Sequence, residues 1–296
     1  MFNRVVGTHY RCPVSNYILF GPFYGCPLNL PTRNVEDADL ALIGNSHAQM
    51  YAPAIERALV KRGMHRLLVP ASGCAPIVEY NISGECLAMT RANIDAVLAL
   101  KRTKVVVIAF AWAKMKDNMV DPTGNAVGQL SWEQIRASLQ ATIDRFEKAG
   151  KQVILVGPIP RPGYDVASVV SREIAFGARS LSPLEQTRAE FDSQFGDAEA
   201  WTRNQPGGSI AILPSTKFCD ARHCGFLVDG EPVYADDNHL SVYAMPLFSG
   251  PVRRGDRCGA RQGRQRRSAR AGALTSARTR RLTDRAILAR RARRAG

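Results

Sequence analysis

The chain has 296 residues, 45% of them hydrophobic, and a formal net charge of +14, enough apolar content for one sizeable core. The charge is not spread: residues 251–296 hold sixteen arginines, no lysine and only Asp256 and Asp284, which leaves the remainder neutral with 24 basic and 24 acidic residues. This distribution argues against a folded nucleic-acid binder, and the longest apolar run, residues 105–113, falls far short of the roughly 20 residues a bilayer span requires.

Met1 to Pro13 lacks the basic stretch followed by an apolar stretch of a secretory signal, so the sequence as written shows no export device. Residues 1–36 are rich in Pro, Gly, Asn and aromatics without steady periodicity, and read as an irregular lead-in wrapping the domain edge. Residues 38–43 form a short apolar run ending at Gly44, after which residues 47–61 take helical spacing through Met50, Ile55, Leu59 and Val60. Strand, tight turn and helix follow in that order. Residues 65–69 predict a second strand, 91–100 a helix, and 104–110 a buried strand rich in Val and Ile. Residues 132–149 predict an amphipathic helix stopped by Gly150, and 152–156 another buried strand before Gly157 and Pro158. Alternation of this kind predicts a parallel sheet with helices on both faces. Residues 161–182 read as a long connection and 182–201 as a helix capped by Ser182. Residues 209–213 give a last core strand, and 219–234 a small excursion that delivers the chain to Asp236, Asp237, Asn238, His239, Leu240 and Ser241.

The domain therefore spans residues 37–250. Beyond it, the Arg-rich tail 251–296 has no apolar period and reads as a disordered extension. A sharper reading is a frameshifted translation of GC-rich DNA, since composition changes where a final helix should continue. Attachment of this tail to RNA or an anionic surface stays open, but no function is assigned to it.

Six of seven cysteines fall into close pairs, Cys12 with Cys26, Cys74 with Cys86 and Cys219 with Cys224, while Cys258 lies in the tail. Short local loops suit disulfides in an oxidising compartment, with reduced buried thiols as the alternative. No CxxC pair has metal-ligand spacing, so neither zinc nor any other metal is expected, and no cofactor.

A serine attacks only when a base removes its proton and a third group orients that base. Ser46 lies at the turn between the first strand and its helix, where its hydroxyl would emerge at the carboxyl end of the sheet, the usual ligand side. The adjoining helix N-terminus offers free N–H groups to an oxyanion, although a plain capping serine fits the same position. His239 is the best base, because Asp236 three residues earlier can orient one ring nitrogen and leave the other for Ser46. Asp237 is the rival carboxylate. His47 would point away from Ser46 as a structural residue or pocket wall. His65 and His223 read as solvated, and His9 lies in the lead-in. Trp112 directly follows a buried strand and reads as core, with a sugar-stacking platform as the second possibility.

The block Gly44-Asn45-Ser46-His47-Ala48 resembles G-D-S-H-A, and Asp236 to Ser241 resembles D-x-x-H-L-S, of SGNH domains. Ser72-Gly73-Cys74-Ala75-Pro76, Ala111-Trp112-Ala113 and the cysteine pairs resemble the subgroup appended to acyltransferase-3 membrane proteins, which O-acylate cell-surface polysaccharides. The resemblance covers about residues 10–247. It implies a flavodoxin-like three-layer α/β/α fold with a mainly parallel sheet, Ser46, Asp236 and His239 as catalytic residues, and a setting in the periplasm or on the extracytoplasmic face of the inner membrane. It further implies a polysaccharide acceptor, an acyl donor and a membrane acyltransferase partner domain, fused or separately encoded. The backbone amides of Ser46 and Gly73 are the candidate oxyanion hole, and Asn45 and Trp112 candidate substrate contacts.

Three departures from the family pattern stand out. Asn45 replaces an aspartate, no G-x-N-D segment follows the third strand, and Tyr243-Ala244-Met245-Pro246 replaces small residues after H-L-S-x. The reaction expected is O-acyl transfer, most simply of acetyl, through an acyl-serine. The alternatives are a carbohydrate O-acetyl esterase and a catalytically impaired glycan-binding domain.

Overall fold

The computed structural model describes residues 12, 16–30, 33–60, 62–177, 184–205 and 208–248, with the side chains of 59 and 60 left aside. The Ser182 cap, His9, Cys258 and the 251–296 tail lie outside these residues. Among the described residues, no helix is long and apolar enough to cross a membrane.

Seven strands form one sheet. They are β1 (Ile18–Phe20), β2 (Phe23–Pro27), β3 (Leu40–Gly44), β4 (Arg66–Pro70), β5 (Val105–Ala109), β6 (Gln152–Val156) and β7 (Ile210–Ile212), in the spatial order β1-β2-β4-β3-β5-β6-β7. From β4 to β7 all neighbours are parallel, while β1 with β2 and β2 with β4 are antiparallel. Every residue of β3 is buried, as expected of a central strand covered on both faces. The connecting helices are α1 (Ser46–Val60), α2 (Gly84–Ala99), α3 (Trp132–Lys148), α4 (Val166–Ala175) and α5 (Arg188–Arg203). One buried cluster packs Ile94, Leu139, Ile143, Phe146 and Phe191 against Ile43, Val106, Ile108, Val153 and Leu155. The second cluster packs Met50, Val166, Val170, Tyr234 and Leu240 against Leu42, Val107 and Val156. Helices therefore cover both faces in three layers.

The chain leaves β3 toward β4 on one side and then crosses to β5 on the other. This reversal opens a crevice at the carboxyl end of β3, where open α/β sheets place their ligands.

Several sequence expectations need correction. The lead-in is not irregular throughout, since β1 and β2 extend the sheet edge, with Cys26 in β2 bridged to Cys12. Gly and Pro among the aromatics mask these short strands in the sequence. The second helix begins at Gly84 rather than 91, because Ser83 caps it by accepting the Cys86 amide. The 161–182 connection contains α4, capped by Asp165, which accepts the Ser168 amide. α5 begins at Arg188 behind a Thr187–Glu190 capping box, after residues 185–187 pair as a strand with 223–225. At the far end, Met245–Phe248 form a short 3₁₀ turn, and Phe248 packs edge-on against Tyr51 with ring centroids 5.5 Å apart.

Candidate active site

The turn between β3 and α1 is dictated by close approach. Gly44 has φ +139, and a Cβ there would lie 1.8 Å from the Ala109 carbonyl oxygen, so no other residue fits. Its carbonyl accepts the Ala71 amide at 2.7 Å, which ties the ends of β3 and β4 together. The Asn45 side-chain oxygen accepts the His47 amide at 3.1 Å and the Ala111 amide at 3.0 Å, which ties in β5. Asn45 is 1% exposed. Its side chain is thus turned into the protein as a brace, not outward toward a substrate, which corrects the sequence expectation. A neutral amide here avoids the desolvation cost that a carboxylate would carry. Among the described residues its Nδ2 finds no hydrogen-bond partner.

Ser46 opens α1, and its Oγ lies 2.8 Å from His239 Nε2. On the opposite side of the ring, His239 Nδ1 lies 2.8 Å from Asp236 Oδ2. With Nδ1–H donating to the carboxylate, Nε2 is left to accept the serine O–H. Asp236 Oδ1 also accepts the amides of Asn238 at 2.8 Å and His239 at 2.6 Å. This carboxylate therefore builds the turn as well as orienting the ring. Burial by itself would raise its pKa, but the bonds from the His239 ring and the two amides outweigh burial and hold it below the ordinary 3.8.

The turn that carries His239 is fastened by neighbours. Tyr234 and Leu240 form an isolated antiparallel bridge, the Leu240 amide points to Met50 Sδ at 3.3 Å, and the Tyr234 hydroxyl donates to the Pro160 carbonyl. Asp237, the rival carboxylate, instead pairs with Arg161 at 3.2 Å on the exposed rim. His47 is buried, and its Nε2 donates to Asn238 Oδ1 at 3.2 Å, with its ring 5.4 Å from that of His239. Burial first, then the adjacent His239, push His47 down to about 3, so it stays neutral and works as a wall beneath the turn. Arg161 and the His47–Asn238 contact went unread in the sequence. Their only signals were an arginine just past the β6 carboxyl end and the asparagine inside the Asp-Asp-Asn-His run.

Gly73 lies in the turn after β4, at φ +79, closed by the Cys74 amide on the Ala71 carbonyl at 2.9 Å. The Cys74–Cys86 disulfide anchors that turn to the start of α2, and Gln49 Nε2 donates to Ser72 Oγ at 3.0 Å. Among the described residues, the amides of Ser46 and Gly73 make no hydrogen bond. Trp112 is 5% exposed, packs on Phe110 at 4.5 Å and donates its indole N–H to the Val156 carbonyl at 3.0 Å. Of its two sequence readings, the core position is the one found. His223 is exposed, whereas His65, expected to be solvated, is half-buried near Asp39. All three expected cysteine pairs are disulfides, including Cys219–Cys224. No group of His, Cys, Asp or Glu among the described residues is arranged to hold a metal.

Residues 11–254 match the family described as "SGNH domain (fused to AT3 domains)". The chain belongs to this SGNH family. A solved structure similar to this SGNH domain is the periplasmic domain of the lipopolysaccharide acetyltransferase of Salmonella ser. Paratyphi A. The TM-score is 0.51 at 15% identity, over 71% of this chain and 79% of that one, which is likeness of fold. No curated protein gave a significant match. In this SGNH domain, β5 is followed by Ala111 and Trp112. Ala111 stands there with its amide held by Asn45, and the adjoining Trp112 is buried.

Proposed function

We propose that this SGNH domain transfers an acyl group, most simply acetyl, to a hydroxyl of a cell-surface polysaccharide through an acyl-Ser46 intermediate. The observation that carries this reading is the relay of two 2.8 Å contacts, Ser46 to His239 and His239 to Asp236, at the crevice. His239 Nε2 takes the serine proton as Oγ bonds to the acyl carbon. The resulting oxyanion sits toward the amides of Ser46 and Gly73, and collapse expels the donor's leaving group, which takes the proton from His239. A sugar hydroxyl then repeats the sequence in reverse, giving its proton to His239 and releasing Ser46. Water in place of the sugar makes the same site an esterase.

Three disulfides fit an oxidising compartment. Together with the family's fusion to AT3 domains, they support a periplasmic setting and a membrane acyltransferase partner that supplies the donor. The similar solved domain comes from a lipopolysaccharide acetyltransferase, which supports a glycan acceptor here. The missing asparagine removes one oxyanion donor, which typically costs about 10²–10³-fold in turnover, so a slow site is expected.

The test is incubation with p-nitrophenyl acetate, followed by mass spectrometry of the peptide that contains Ser46. Acetyl-Ser46 that disappears in His239→Ala supports the reading. An unmodified Ser46 in the wild type, or acetylation indifferent to His239, overturns it in favour of a glycan-binding domain without chemistry.

A further inference from the structure

Beside Trp112, on the face of the sheet covered by α3 and α5, lies a groove of about 290 Å³. That volume is at the small end of ligand sites, room for one sugar ring rather than a long peptide. Its lining includes the aromatic residues Trp132 and, largely buried, Phe195 and Trp112. Lys116 lies 5.7 Å from the centroid of the Phe195 ring, and Asp197 adds an exposed carboxylate to the lining. A lining of aromatic rings with both a cation and an anion suits a neutral pyranose, whose C–H face is apolar and whose edge carries hydroxyls.

Gly196 sharpens the case. It sits inside α5, where glycine costs about 1 kcal/mol relative to alanine. A Cβ there would meet only the Asp192 Cβ, at an ordinary 3.6 Å, so neither packing nor backbone conformation demands glycine. The bare wall keeps the groove open. The groove is also tied to the catalytic turn, because Trp112 directly follows Ala111, whose amide is held by Asn45 next to Ser46.

We infer that this groove is a subsite for a neutral sugar residue of the polymeric acceptor, binding one ring while another residue of the same chain presents its hydroxyl at Ser46. The inference rests on the acyl-transfer reading for its purpose and on the groove alone for its chemistry.

Saturation-transfer NMR on the full chain, with the methyl glycosides of glucose, galactose, mannose and rhamnose as probes, tests it. Transfer to the ring protons of at least one glycoside is expected, weakened about tenfold in Trp132→Ala and in Gly196→Leu. Gly196→Leu adds a better helix former at an open position, so its melting temperature should match or exceed that of the wild type, which separates groove filling from misfolding. Absence of transfer to all four probes overturns the subsite, as does undiminished transfer in a folded Gly196→Leu. Failure of acyl transfer is read independently, from wild-type Ser46 that stays unacetylated while glycoside binding persists.

Discussion

Asn45 and Ala111 are joined by one hydrogen bond of 3.0 Å, and the side-chain oxygen that accepts it also accepts the His47 amide. The turn carrying Ser46 is thereby clamped to the end of β5. Each buried donor left unpaired costs about 1–3 kcal/mol, so Asn45→Ala is expected to lose about 2–4 kcal/mol. Asn45→Asp keeps the acceptor but buries a charge, and its urea midpoint should fall between the wild type and the alanine variant. Equal midpoints for wild type and Asn45→Ala would show that the clamp contributes nothing.

Asp236 orients the His239 ring and closes its turn, two roles that substitutions can separate. Asp236→Asn keeps an acceptor for the backbone amides but favours the wrong ring tautomer, so acylation of Ser46 should slow by about 10⁴-fold with little change in melting temperature. Asp236→Ala should add a clear loss of stability, since the Asn238 and His239 amides lose their acceptor. Stopped-flow release of p-nitrophenol together with thermal melting separates the two effects.

His47 predicts a pH dependence of stability. Its folded pKa is pushed down to about 3 from 6.5, mainly by burial, so between these values the unfolded chain binds the proton that the folded one excludes. Stability is therefore complete above about pH 6.5 and falls as pH drops toward 3, by at most about 1.4 kcal/mol per pH unit. Asp236, with its lowered pKa, adds a further loss only as pH falls below 3.8. In His47→Gln the decline between pH 6.5 and 4 should flatten. Parallel melting curves for the two proteins across that range would remove His47 as its cause.

The Cys74–Cys86 bridge joins positions twelve apart in sequence beside Gly73. Replacing both cysteines by serine should cost about 2–4 kcal/mol. It should also slow acylation, because the Gly73 turn loses its anchor to α2. A variant that is destabilised yet acylated at the wild-type rate would take the Gly73 amide out of the oxyanion hole.

The parallel sheet and its order of strands and helices were readable because β3, β5 and β6 are continuous apolar runs bounded by Gly, Pro or polar residues, a pattern set by burial on both faces. Ser46 and the Asp236–His239 turn were readable as neighbours for a different reason, since each occupies a polar boundary on the carboxyl side of that sheet. What stayed hidden depends on contacts distant in sequence. The inward direction of Asn45 is fixed by the Ala111 amide, 66 positions away, and the contact of His47 with Asn238 spans 191. α4 escaped notice because it is only ten residues long and lies inside a long connection. The start of α5 was misplaced because the capping box at Thr187 overrides the earlier Ser182 signal.

The turn bearing His239 belongs to no strand of the main sheet; an isolated bridge between Tyr234 and Leu240 closes it, and bonds to Met50, Pro160 and Arg161 fasten it to its neighbours. Tyr234 and Leu240 root the turn in the buried core, whereas residues 236–239 between them are half-buried and held by local contacts, so their opening free energy lies below that of the core. In a denaturant titration such a protein goes silent before it melts: acylation is lost while the far-ultraviolet signal of the sheet and helices persists, and amides 236–239 exchange with solvent ahead of those in β3 and β5.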